Sequence, residues 1–200
     1  MTKKAKKRIY KDRSNIITLT ERHVISENHV LFEECDKLSF LAKNLYNATL
    51  YVQRQSFFNS NSKFLNYYDV NKIFTTGNQV DYRMLPAKVS KQVQMLVDKN
   101  FKSYFALVKN KGDYDKPVKI PRYLNKTKGR FVVPYPKDAL SLKNEGFVKL
   151  SKTNIIIPTK INSDSITDAR IVPKGNHYII EILYDVIKQD IKPSYDRVAF

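Results

Sequence analysis

The spacing of apolar residues along this chain changes period twice. Residues 15–24 hold the run Ile16-Ile17-Thr18-Leu19-Thr20, whose β-branched content predicts a strand. From about residue 30 to 58 the period becomes helical. Leu31, Leu38, Leu45 and Val52 recur every seven residues, with Cys35, Leu41 and Ala48 filling the stripe beside them. Ser26 or Asn28 is placed to cap that helix. Asn59-Ser60-Asn61-Ser62 interrupts the pattern, and a short helix is predicted over 63–74, ended by Thr75-Thr76-Gly77-Asn78. Pro86 suits the first turn of a second long helix, because its missing N–H has no partner to lose there. Val89, Val93, Leu96, Phe101, Phe105 and Val108 form the apolar face of that helix, and Gly112 is placed to stop it.

Beyond Gly112 the period shortens to two. Strands are predicted over 129–134, 147–151, 154–157, 166–172 and 177–187. In the last of these Tyr178, Ile180, Ile182, Tyr184 and Val186 alternate along one face. The fold class expected is α+β: a β domain, a small barrel or strongly bent sheet, interrupted by an inserted α-helical bundle. Its β part takes residues 14–28 and 113–190 and its bundle residues 29–112, behind a basic flexible arm over 1–13.

Composition narrows the function. Of 200 residues, 42% are hydrophobic, enough to build a core, so the charge does not mark a disordered tail. Lys and Arg number 36 against 19 Asp and Glu, for a formal net charge of +17. Such self-repulsion has its use against a polyanion, and nucleic acid leads because each neutralised phosphate releases counterions. An anionic membrane surface is the rival, but no apolar run approaches the ~18 residues of a spanning helix. The Lys-rich start lacks an apolar signal core behind it, so a cytoplasmic or nucleoid protein is expected. Cys35 is the sole cysteine, which excludes an intrachain disulfide and a thiolate zinc cluster and leaves a core thiol. Five scattered glycines form no phosphate-cradling loop.

Three stretches are candidates for nucleic-acid contact. The arm carries Lys3, Lys4, Lys6, Lys7, Arg8, Lys11 and Arg13 against Asp12 alone. Residues 116–130 hold Lys116, Lys119, Arg122, Lys126, Lys128 and Arg130 with no acidic residue, and Tyr123, Phe131 and Tyr135 interleave. Cations there would hold a backbone while aromatic faces stack on bases. Lys88, Ser90, Lys91 and Gln92 lie near the start of the second long helix, where free N–H groups favour anions, and Gln92 has the amide geometry to read an adenine edge. Tyr46 and Tyr51 could stack on bases or pack the bundle core.

Two pairs of side chains bear on a metal-dependent nuclease. Asp113 and Asp115 flank Tyr114 beside a glycine, where carboxylates commonly serve a turn. His177 and Glu181 share a strand face but stand roughly 13 Å apart at about 3.3 Å per residue, too far for one ion. His23, His29 and His177 are scattered and form no catalytic set.

Four sequence pieces, in order, resemble the TnpB/OrfB family of transposon-encoded RNA-guided nucleases, which is similar to compact type V CRISPR effectors. They are Leu45-Tyr46-Asn47; Leu85-Pro86-Ala87-Lys88-Val89-Ser90-Lys91-Gln92 with Asn100-Phe101-Lys102-Ser103-Tyr104-Phe105; Ile120-Pro121-Arg122-Tyr123 with residues 126–133; and Ile171-Val172-Pro173-Lys174-Gly175-Asn176-His177-Tyr178. Together they span most of residues 30–187.

The resemblance implies a wedge-like β-barrel interrupted by a helical recognition domain. Both would bind guide RNA from the element and the target-adjacent DNA, while base pairing supplies most specificity. It also implies a RuvC-like nuclease with Mg²⁺-binding carboxylates and a zinc ribbon, both further along a full-length relative. Residues 191–200, with Ser194-Tyr195-Asp196-Arg197-Val198-Ala199-Phe200, are expected to begin the RuvC-like part, and no catalytic residue maps onto this chain. The expectation is therefore a nucleic-acid-binding portion of a transposase-related, RNA-guided DNA endonuclease, without its catalytic domain, metal or other cofactor. The alternative is a stand-alone, non-cleaving RNA- or DNA-binding regulator derived from such a nuclease.

Overall fold

A computed structural model describes residues 15–59, 63–110, 117–142 and 146–188. Among these the chain is mixed α+β, in the order β1 (Ile16–Ile25), α1 (Phe32–Phe58), α2 (Tyr67–Thr76), α3 (Val80–Met84), α4 (Ala87–Lys109), β2 (Val133–Pro136), β3 (Leu140–Ser141), β4 (Phe147–Leu150), β5 (Ile156–Pro158), β6 (Ile166–Lys174) and β7 (His177–Ile187). The basic arm and the stretch over 191–200 lie outside the described residues.

β7 is the spine of the larger sheet. Its alternation buries Tyr178, Ile180 and Ile182 on one face. It pairs antiparallel with β1 from Ile16↔Ile187 to Ile25↔Tyr178 and with β6 on its other side. The β6–β7 hairpin turns on Gly175-Asn176, and Gly175 sits at φ 58°, which glycine adopts without a Cβ penalty. β2 joins β6 to complete the order β1-β7-β6-β2, and β3-β4-β5 forms a second sheet.

Among the described residues the strands do not close into the expected barrel. β2 carries Pro134 and Pro136, which have no N–H to donate, so it pairs with β6 alone and stays at the edge. β3, β4 and β5 bond to one another and pair with no strand of the larger sheet, and just past β5 Thr159 Oγ1 donates to Glu21 Oε2 at 2.7 Å. The strand expected over 129–134 is also shifted, because Gly129 belongs to a turn instead: its N–H donates to Asn125 O.

The helices enter the chain between β1 and β2, and one set of buried side chains runs through helices and sheets. Cys35, Leu38 and Leu45 of α1 are buried as the heptad spacing predicts, while Val52 is half-buried. Burial pushes the Cys35 thiol up to about 12, so it is a core thiol. α4 buries Val89, Val93, Val97 and Phe101, but Val108 is exposed. Phe57, Phe64, Phe101 and Phe105 pack with ring centroids 5.0 to 6.3 Å apart. No side chain caps α1: Leu31 is its N-cap, its N–H donating to His29 Nδ1, so neither Ser26 nor Asn28 has the expected role. The predicted short helix is α2, and α3 beyond it is an element the spacing did not predict. α2 starts later than predicted, on an Asn66/Asp69 capping box, and Gln79 caps α3.

Candidate nucleic-acid interface

Residues 120–131 form a strap laid antiparallel along one stripe of α1. Arg54 Nη1 donates to Pro121 O at 2.8 Å and Tyr46 Oη to Arg122 O at 3.3 Å. Asn47 binds Leu124 twice, donating to its carbonyl at 3.0 Å and accepting from its N–H at 2.9 Å, as a strand neighbour would. Lys43 Nζ donates to Lys126 O at 2.6 Å, and Phe131 N to Ser39 O at 3.1 Å. The α1 residues involved, 39, 43, 46, 47 and 54, fall on one face at helical spacing. Ile120 and Leu124 turn inward against the core.

That packing leaves a row of cations facing solvent. Lys119, Arg122, Lys126 and Lys128 are exposed, and no described acidic side chain pairs with them. Tyr123 is exposed too, with the Arg54 guanidinium 5.1 Å from its ring centroid. The turn at the strap's end is built by Asn125, whose Oδ1 accepts from the N–H groups of Thr127 and Lys128. A Cβ on Gly129 would lie 2.4 Å from Asn125 O, so this tight turn requires glycine.

Several sequence candidates have other work. Arg130 is committed: its Nε and Nη2 each reach one Asp36 carboxylate oxygen at 2.7 Å, and it lies over Phe40 at 5.0 Å. The Arg130 hydrogen bond holds the Asp36 carboxyl below its ordinary value. Phe131 packs on Tyr46 with centroids 4.6 Å apart, and Tyr135 is fully buried, so of the three interleaved aromatics Tyr123 alone offers an open ring. Tyr46 is a core residue, whereas Tyr51 is exposed. Lys116, Asp113 and Asp115 lie outside the described residues.

At the start of α4, Ser90 is buried and its hydroxyl donates to Tyr82 O at 2.8 Å, so it faces the bundle rather than a ligand. Gln92 is half-buried, and Lys88 and Lys91 are exposed. Lys88 meets Asp138 at 2.9 Å in a solvent-exposed pair. The structure adds cations to this group. Lys88, Lys91, Lys99, Lys102 and Lys109 all face solvent on α4. At 100° per residue they fall within about 80° of one another and extend roughly 31 Å along the axis. The only acidic residue on α4 is Asp98, which is buried and bridged to Lys102 at 2.8 Å. The signal was the polar side of the same period that marked the apolar face.

His177 and Glu181 do not meet over a common site. Glu181 is buried between Arg22 at 3.0 Å and Arg170 at 2.5 Å, its direct neighbours on β1 and β6. His177 contacts Asn176. Among the described residues no three His, Cys, Asp or Glu side chains gather as a metal would require, and no helix is long and apolar enough to cross a membrane.

No family model matches the chain, and no curated protein matches it significantly.

Proposed function

We propose that this chain is a nucleic-acid-binding module of the TnpB/OrfB kind, engaging an element-derived guide RNA and target-adjacent DNA, and that it binds without cleaving. In this reading the two sheets correspond to the wedge and α1–α4 to the recognition bundle. The observation that carries it is the strap: Lys119, Arg122, Lys126 and Lys128 stand in solvent without acidic partners among the described residues, on a backbone pinned to α1, around an exposed Tyr123. Fixing the backbone lowers the ordering cost of gripping phosphates, and a one-signed row attracts a polyanion along its length. The lysine row on α4 adds a second phosphate-facing surface beside Gln92.

The test is the salt dependence of binding to RNA transcribed from the DNA flanking the gene, and to a 20-base-pair duplex as a second probe. Replacing Lys119, Arg122, Lys126 and Lys128 together by alanine should flatten the slope of log K against log salt by about one unit per lost contact. Arg130→Ala should instead lower stability. An unchanged slope in the quadruple variant would remove the strap as a binding surface. Mg²⁺-dependent cleavage of either probe by the purified chain would overturn the non-cleaving assignment.

A further inference from the structure

Where α2 begins beside the middle of α4 there is a half-open cavity of about 300 Å³, lined by Tyr67, Tyr68, Met95, Asp98, Lys99 and Lys102. Its chemistry is divided. The Tyr67 and Tyr68 rings stand edge to face with centroids 5.0 Å apart and, with Met95, give apolar walls. Tyr68 is 78% exposed, leaving a large ring in water at the mouth. Lys99 and Lys102 belong to the lysine row of α4, and Lys99 has no partner among the described residues.

The one anionic group at this site is already neutralised. Asp98 Oδ1 accepts from Tyr67 N at 3.0 Å and Gln53 Nε2 at 3.4 Å, and its Oδ2 from Lys102 Nζ at 2.8 Å. The floor therefore does not repel an incoming phosphodiester. A hollow of this size lies at the small end of ligand sites, enough for one flat ring system. Aromatic and thioether walls suit a planar π-face, and the Lys99 cation at the rim suits a negative charge attached to it.

We propose that this cavity receives one unstacked base of a bound single strand, the base lying against Tyr68 and its phosphate against Lys99. The proposal rests on the nucleic-acid reading above and deepens it. It makes this surface of the bundle prefer single strands, because a paired base is not free to enter.

The experiment uses the full chain with two probes: a single-stranded oligonucleotide carrying one 2-aminopurine, and the same oligonucleotide in a duplex. Tyr68→Ala should weaken single-strand binding by roughly tenfold, the scale of one lost stack, and abolish the change in 2-aminopurine emission. Its salt slope and its duplex affinity should stay as in the parent, and Tyr68→Phe should behave as the parent. Lys99→Ala should lower the single-strand salt slope by about one. Tyr68 is too exposed for its loss to unfold the chain. If Tyr68→Ala binds the single strand as the parent does, or weakens both probes equally, the base pocket is refuted while the strap reading stands. If the parent binds neither probe at low salt, both readings fall.

Discussion

Arg130 and Asp36, 94 residues apart in sequence, are joined by two parallel bonds of 2.7 Å that fasten the strap to the first turns of α1. Tyr178 of β7 donates to the same carboxylate at 2.6 Å, so one aspartate ties helix, strap and sheet together. Asp36→Asn should cost about 1–2 kcal/mol, toward the lower end for a charge-assisted pair because both side chains are partly solvated. The carboxyl lies below its ordinary value in the folded state, chiefly through Arg130. Its contribution is therefore present above the unfolded value of about 3.9 and is lost as pH falls through the folded value. Urea titrations should show parent and variant separated by a constant margin from neutrality to about pH 5, narrowing below about pH 4.

Asn47 should govern the strap's order. Asn47→Ala removes both bonds to Leu124 and leaves a half-buried peptide group short of partners, at a cost of about 1–3 kcal/mol. Hydrogen exchange at the Leu124 amide should accelerate much more than exchange within β7. Equal acceleration in both places would mean that the strap is not a separately held element.

Glu181 is the buried charge most exposed to test. Burial raises its carboxyl, but hydrogen bonds and charge from Arg170 and then Arg22 outweigh that and leave it below its ordinary value. Glu181→Gln should destabilise by about 1–3 kcal/mol, because two cationic partners lose their counter-charge yet remain within reach of water. Arg22→Gln should cost less, since Arg170 still covers the carboxylate. With the folded value depressed, the Glu181 contribution is complete above the unfolded value of about 4.3 and vanishes in acid. A melting-temperature difference between parent and Glu181→Gln that persisted at pH 2 would contradict this.

Cys35 should be silent toward thiol reagents in the native state. It is fully buried and its thiol is pushed up to about 12, so little thiolate forms at pH 8. A disulfide-exchange reagent should label it only after denaturant is added, and the labelling midpoint should match the unfolding midpoint. Prompt labelling of the folded chain would show that α1 is not packed as described.

Much of this architecture was legible in advance where one period dominates. The bounds of β7, the pairing of alternate residues on its buried face and the apolar stripes of α1 and α4 follow from spacing alone. The cations that matter were visible as charges, but not as partners. Arg130 and Lys128 are two residues apart in one basic run, yet one is held by Asp36 and the other faces water. Ser90 and Lys91 are adjacent, yet a helix puts them about 100° apart, so one is buried and the other exposed. The anchoring of the strap was not legible, because Asn47, Lys43 and Arg54 lie more than sixty residues upstream of the carbonyls they bind.

By itself the amino-acid sequence determined the two long helices, the strand β7, the buried thiol and a surplus of positive charge, because these depend on local periodicity and on counting. Among the described residues, tertiary structure alone decided which cations remain free, that Tyr123 rather than Tyr46 or Tyr135 shows an open ring, and that the strands form two sheets rather than a closed barrel. Those outcomes depend on which distant group reaches a given atom first. Prolines without N–H groups in β2 and an aspartate on α1 opposite Arg130 settle them, through contacts that exist only once the chain has packed.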